Sequence, residues 1–446
     1  MKLYGVEMLP TSLVACFINK REVRILEISE KGFSFRVPER LELIQSIQLH
    51  YLVFQESRYE KLLISDYQIL EEMQEEFYYV YTIGCKQEDY QRYTSMIIRD
   101  YSEYVRLKLS GDDAYCSQAK VDYPAEEDLK FYGTYLEQEK DWLSKTGYQD
   151  ETIKDVLDKF ELAISIDHPS AYEQYLNMSL NDFIVEYFKS HHMESHELAK
   201  KQVNRIYVGN EFCHNLFPEK VQLMRMLEKT KKENLNVTLA FTYMRDEMLE
   251  QTQVLLKELY DWCKKNEIVL ELVVNDWGMV QLLENMQKYF TLCLGILLNK
   301  RRKDPRYPYK SGYQEHVKQL AQNSLSSVEY RKFLEKWNIK RYEFESCGYL
   351  MEVSGAHNSI HFPFYQTNTS QYCTLYAKCT TMDRGKQQLV TKCPRYCEEF
   401  IFAYPKHLKM VGRYNSLFGF DDTLLNRLEM LQYYLEQGMD RLVLNL

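Results

Sequence analysis

Little in this chain of 446 residues is built for flexibility: it has 16 glycines and 10 prolines, which argues against long disordered linkers. No run of eighteen apolar residues occurs, so no helix is expected to cross a bilayer. Basic residues are in deficit, 56 against 65 acidic, for a net charge of −9. That balance argues against broad nucleic-acid binding and against docking on an anionic membrane. Leu13-Val14-Ala15-Cys16 has the look of a lipoprotein cleavage box, but Glu7 and Pro10 break the apolar core that such a leader needs. Also missing are a G-x-S-x-G elbow, an H-E-x-x-H helix and any C-x2-C pair, the marks of serine hydrolases, zinc proteases and zinc knuckles.

What is present is cysteine, eleven of them. Without a leader they point to a reducing cytoplasm, where thiols stay free or bind metal. Cys379, Cys393 and Cys397 form a C-x13-C-x3-C array, and Cys213 follows the apolar run Ile206-Tyr207-Val208-Gly209. Four thiolates from two distant segments suit one soft metal centre, most often an iron–sulfur cluster. Cys373 is a candidate substitute for one of the four, while Cys16, Cys85, Cys116, Cys263, Cys293 and Cys347 lie mostly in apolar runs and read as core.

The length predicts two or three domains. Residues 1–115 read as β-rich, with strands at 23–28, 32–37, 46–54 and 76–84 and a helix over 88–107. The pattern predicts a small β-barrel with a C-terminal helix. Residues 116–200 read as a helical connector, with helices over 126–143, 150–164 and 179–188. It ends in His191-His192-Met193-Glu194-Ser195-His196, where His192 and His196 would share a helix face; solvent-exposed histidines are the favoured reading. Beyond residue 200, strands at 205–208, 237–241, 268–274 and 291–297 alternate with helices. Later strands are expected at 341–344, 359–362, 400–404, 409–413 and 441–444, enough for a (β/α)8-like barrel over 201–446. Asn210, Glu211, Asn275, Asp276 and Asn299 would then follow strands at the barrel's working end, with Asp276 equally suited to cap the next helix. Lys300-Arg301-Arg302-Lys303 reads as a solvated loop, with an anion clamp as the lesser reading.

Two resemblances sharpen these expectations. Glu27-Ile28-Ser29-Glu30-Lys31-Gly32, followed by Phe33 and Phe35, resembles the signature of the PilZ domain, whose members bind cyclic di-GMP. Here Glu27 stands at the first signature position, and Arg21 and Arg24 do not supply the upstream arginine pair. Without those guanidinium contacts cyclic di-GMP is not expected, and the domain is read as docking a partner protein. Residues 206–213, Val274-Asn275-Asp276-Trp277-Gly278 and the late cysteines resemble the collagenase-like peptidase family of unassigned catalytic type. Within it they are similar to iron–sulfur proteins of oxygen-independent ubiquinone hydroxylation. The resemblance implies a TIM-barrel-like fold and a [4Fe–4S] cluster on Cys213, Cys379, Cys393 and Cys397, with structural zinc as the alternative. It implies a small organic or RNA substrate, which Asn210, Glu211, Asn275 and Asp276 would meet. The expected activity is redox or hydroxylation chemistry. A peptidase-like hydrolase, or a PilZ-type signalling adaptor with an inert barrel, are the alternatives.

Overall fold

The computed structural model describes residues 3–10, 13–53, 58–109, 135–150, 152–303, 321–355, 357–383, 385–386, 388–404 and 409–446. They fall into two compact units, described separately below.

The first unit is an antiparallel sheet. Its strands are β1 (Val6–Glu7), β2 (Val14–Ile18), β3 (Arg21–Ser29), β4 (Gly32–Val37), β5 (Ile47–Val53), β6 (Arg58–Ile64), β7 (Tyr67–Gln74) and β8 (Tyr79–Cys85). They pair in the order β6-β5-β2-β3-β4-β8-β7, with β1 added to β3. Among the described residues the ladder ends at β6 and β7, so the expected barrel is an open sheet by its hydrogen bonds. The helix Glu88–Leu109 lies against it: Tyr90 donates to the Ser29 carbonyl at 2.7 Å, and Tyr51 and Thr94 share a hydrogen bond of 2.8 Å. The Ser29–Gly32 turn explains its own residues. Ser29 Oγ accepts from Lys31 N at 3.2 Å, and a Cβ on Gly32, whose φ is +152°, would sit 1.9 Å from the Ile83 carbonyl oxygen. Glu27 accepts from Gly5 N at 2.6 Å. The sequence signature is used here to build the hairpin.

The second unit is a closed barrel of eight parallel strands. They are β9 (Glu161–Ile166), β10 (Arg205–Gly209), β11 (Asn236–Ala240), β12 (Leu270–Val274), β13 (Phe290–Leu294), β14 (Arg341–Glu345) and β15 (His357–Phe362), closed by the last strand (Met439–Leu444). Between β15 and that last strand the chain makes an antiparallel sheet of β16 (Phe364–Thr369), β17 (Phe402–Ala403), β18 (Met410–Arg413) and β19 (Ser416–Phe420), so the closing strand is β20.

Three expectations are corrected. Where it is described, from residue 135 on, the connector expected over 116–200 is not a separate helical piece. Within it β9 is the first barrel strand, and the helix expected over 150–164 is a short helix, Ile153–Leu157, running into that strand. The segments expected as barrel strands near 400–404 and 409–413 belong to the antiparallel excursion. The histidines do not share a helix face: the helix ends at Ser190, and His196 is buried, with Nε2 3.0 Å from the Leu425 carbonyl. Helix 126–143 is described only as Tyr135–Leu143; its earlier part lies outside the described residues.

Alternation along each strand sends every second side chain inward, where the interior stacks in layers. The floor, at the strands' amino ends, is ionic. Arg441 donates to Glu161 at 2.6 Å and to both oxygens of Glu271 at 2.7 and 3.0 Å, while Arg205 donates to Glu161 at 2.9 Å. Above it lies a layer holding Ala163, Tyr207, Ala240, Val273, Cys293 and Val443. The carboxyl ends of the strands carry the polar groups that follow.

Candidate functional site

Cys213 sits in the loop after β10. Asn210 shapes that loop, its Oδ1 accepting from Phe212 N at 2.8 Å and Cys213 N at 2.9 Å. The late cysteines enter from the excursion after β16, and Asn415 ties the two segments together. Its Nδ2 donates to the Phe212 carbonyl and the Ser370 carbonyl, each at 2.7 Å. Cys373 caps the helix Thr374–Thr381, its Sγ accepting from Tyr376 N at 3.3 Å, and Tyr376 packs 6.2 Å from the ring of Tyr396, the residue before Cys397. Arg395 meets Glu219 at 3.9 Å, bringing the C-x3-C turn back to the segment that follows Cys213.

Burial raises the pKa of several of these thiols. Burial pushes the Cys213 thiol up to about 12, and the charges of Cys373 and Cys393 add to it. Cys397 is also pushed up to about 12 by burial, with Cys213, Cys393 and Cys373 adding. Cys373 is raised by burial together with Cys393 and Cys379. Burial alone moves Cys379. Cys373 stands at the start of the helix Thr374–Thr381, and Cys379 lies six residues farther along it. Cys16, Cys85, Cys263, Cys293 and Cys347 are buried as expected, and Cys116 lies outside the described residues.

The sulfurs fit a soft, multi-iron group in donor type, and backbone N–H groups of Asn215, Leu216 and Tyr376 aim at two of them. Among the described residues no three His, Cys, Asp or Glu side chains stand at the spacing of a single-ion site. A cubane cluster keeps its ligands farther apart than one zinc ion does, because an inorganic core lies between them.

Also at the carboxyl end of the barrel lies a polar cleft of about 500 Å³, lined by Tyr243, Asn275, Asn299, Lys300, Lys303 and Gln366 among others. Asn275 is both wall and clamp. Its Nδ2 donates to Glu211 Oε2 at 2.9 Å and the Phe241 carbonyl at 2.8 Å, and its Oδ1 accepts from Leu297 N at 2.8 Å. Asp276 does not reach the cleft; it caps the next helix, accepting from Gly278 N at 2.7 Å. The basic run departs from the solvated loop expected of it. Arg301 lies 5.3 Å from the Tyr349 ring and donates to the Glu345 carbonyl at 3.3 Å, and the Lys303 ammonium is buried against Glu345.

Deeper in the barrel is a cavity of about 40 Å³ bordered by Glu211, His361, Glu345, Arg413, Tyr207 and Asp167. His361 Nε2 lies 2.9 Å from Glu343 Oε2, and Glu343 also accepts from Tyr207 at 3.2 Å and Ser359 at 3.2 Å. Burial pulls the His361 pKa down, but the hydrogen bond and charge of Glu343, with Glu211 and Glu345, outweigh it and leave it raised. Glu211 is raised by burial, against the charge of His361 and the Asn275 hydrogen bond. Sequence reading passed over Glu343, Glu345 and His361, because alternating Glu-Phe-Glu reads as a strand with one solvated face. In a closed barrel that face is the interior.

Cys213 and His214 do not form a nucleophile–base pair. Among the described residues His214 Nδ1 is buried with no hydrogen-bond partner, and burial, together with Arg245, lowers its pKa to about 4. Compared with known protein families, curated proteins and solved structures, the chain matches none.

Proposed function

We propose that the second unit is an iron–sulfur barrel protein acting on a small polar organic molecule, with the cluster held by Cys213, Cys373, Cys393 and Cys397. The observation that carries this reading is the joining of the Cys213 loop to the late cysteine segment by Asn415, at the working end of a closed parallel barrel. When bound, such a cluster supplies one-electron chemistry. The chain's own residues bind and orient: the cleft offers amides and the Lys300 ammonium group to an anionic or hydroxylated substrate. A cleft of about 500 Å³ suits a small molecule better than an RNA strand.

The test is anaerobic purification of the full chain with iron, zinc and acid-labile sulfide assays and an absorption spectrum. The proposal expects a brown protein with about four irons and four sulfides per chain. A colourless protein carrying zinc, or none of these after reconstitution with iron and sulfide, would overturn it.

A further inference from the structure

The polar cleft at the carboxyl end of the barrel carries more positive charge than its surroundings neutralise. Lys300, Arg301 and Lys303 all line it, and among the described residues no acidic side chain does. Glu345, the carboxylate that meets this run, has both oxygens taken. Its Oε1 accepts from Gln366 N at 2.6 Å, and its Oε2 accepts from Lys303, which also donates to Gln366 Oε1 at 3.3 Å. Two cations are left over. Arg301 donates Nη1 to the Glu345 carbonyl at 3.3 Å, but its Nε and Nη2 are buried with no hydrogen-bond partner among the described residues. Lys300 is exposed and forms no ion pair among the described residues. Burial and the charge of Lys303 lower its pKa against the pull of Glu345, so like charge crowds this ammonium. A shielded guanidinium edge without an acceptor is costly, and an anion in the cleft offsets that cost. The neutral side chains of the same walls point to a second chemistry. Asn299 is buried, and its Oδ1 has no hydrogen-bond partner among the described residues; Asn368 and Gln371 bring further amides. An empty acceptor shielded from water calls for a donor, which a hydroxyl supplies.

We infer that the cleft binds the phosphate monoester of a small polyol, a sugar phosphate in kind, with Lys300 and Arg301 attracting the phosphate and Asn299 accepting from a hydroxyl. The inference rests on the reading of this cleft as the substrate site. Charge decides for phosphate over carboxylate. Two cations without a carboxylate partner match a phosphate monoester, which carries about −1.5 to −2 at pH 7, better than they match a single carboxylate. Guanidinium and ammonium groups both make strong charge-assisted hydrogen bonds to phosphate oxygens. A cleft of about 500 Å³ has room for a molecule of that size.

Isothermal titration calorimetry on the full chain in phosphate-free buffer tests this with matched pairs of ligands. The pairs are glucose 6-phosphate and glucose, ribose 5-phosphate and ribose, and glycerol 3-phosphate and glycerol, with inorganic phosphate and gluconate alongside. At least one ester is expected to bind about ten-fold more tightly than its parent polyol, than inorganic phosphate and than gluconate. K300Q, at an exposed position, should weaken that ester about five-fold or more, while K264Q, exposed on the helix Leu249–Asn266, should match wild type. Esters that all bind no better than their parents overturn the inference. So does inorganic phosphate or gluconate binding as tightly as the best ester, or K300Q binding that ester as wild type does. Metal content does not enter this readout. A colourless protein that binds an ester leaves the inference standing while the cluster falls, and a brown protein that binds none does the reverse.

Discussion

Replacing Arg441 with Met removes the centre of the barrel floor. The arginine side chain is 2% exposed and makes four hydrogen bonds, one to Glu161, two to Glu271 and one to the Tyr207 hydroxyl. Deleting one partner of a buried ionic group costs about 3–5 kcal/mol, because the charges left behind stay desolvated. Here the loss is softened. Glu161 keeps Arg205 at 2.9 Å, and Glu271 keeps Arg205 at 3.1 Å and Arg341 at 3.8 Å. The lower end applies, about 3 kcal/mol, or a fall of about 1 M in the urea midpoint for a slope near 3 kcal/mol/M. All four tryptophans, Trp142, Trp262, Trp277 and Trp337, lie in the barrel unit. Tryptophan fluorescence during urea unfolding therefore reports this unit without the N-terminal sheet. A midpoint that stays put or rises would refute the reasoning, since it would mean the floor's charges gain no more from one another than they lose on burial.

The same floor sets an acid limit. Burial pushes the Glu271 carboxyl up, but Arg441, Arg205 and Arg341 outweigh it and hold it at about 2, against an ordinary 4.5. A lowered carboxylate pKa stabilises fully above pH 4.5 and is lost as pH falls toward 2, so about 3 kcal/mol should disappear across that window in acid unfolding curves. Asn275→Ala strands the Phe241 carbonyl and the Leu297 N–H and removes one of the donors to Glu211; about 2 kcal/mol should be lost, read as a lower thermal midpoint by calorimetry. In iron assays on reconstituted protein, C373S should lose most of its iron and C379S should keep it, the reverse of what the spacing of the cysteines alone would give.

Much of the barrel was legible because parallel strands buried on both faces read as short apolar runs. The strands at 205–208, 237–241, 268–274 and 291–297 match β10 to β13 within a few residues. β9 escaped because Ile153, Val156, Leu157 and Phe160 carry helical spacing directly into Leu162 and Ile164, so one periodic stretch holds two elements. The excursion strands were misplaced because local pattern does not say which sheet a strand joins. At the site, Cys213, Cys393 and Cys397 were visible as ligand-type residues in a spaced array. The proposal of Cys373 in place of Cys379 draws on the helix geometry, which puts the first at the cap and the second six residues on. Asn210 and Asp276 were noticed for their positions but serve the backbone, one turning the Cys213 loop and the other capping a helix. Residues 300–303 illustrate a further limit: charge runs are usually solvated, yet Arg301 and Lys303 fold back onto the Glu345 end of β14.

Crystals of the anaerobically reconstituted chain, measured at the iron absorption edge, address the central claim most directly. The account predicts one compact anomalous peak at the carboxyl end of the barrel, bonded by the sulfurs of Cys213, Cys373, Cys393 and Cys397. A peak bonded without Cys213, or iron bound elsewhere with these four thiols free, would contradict it.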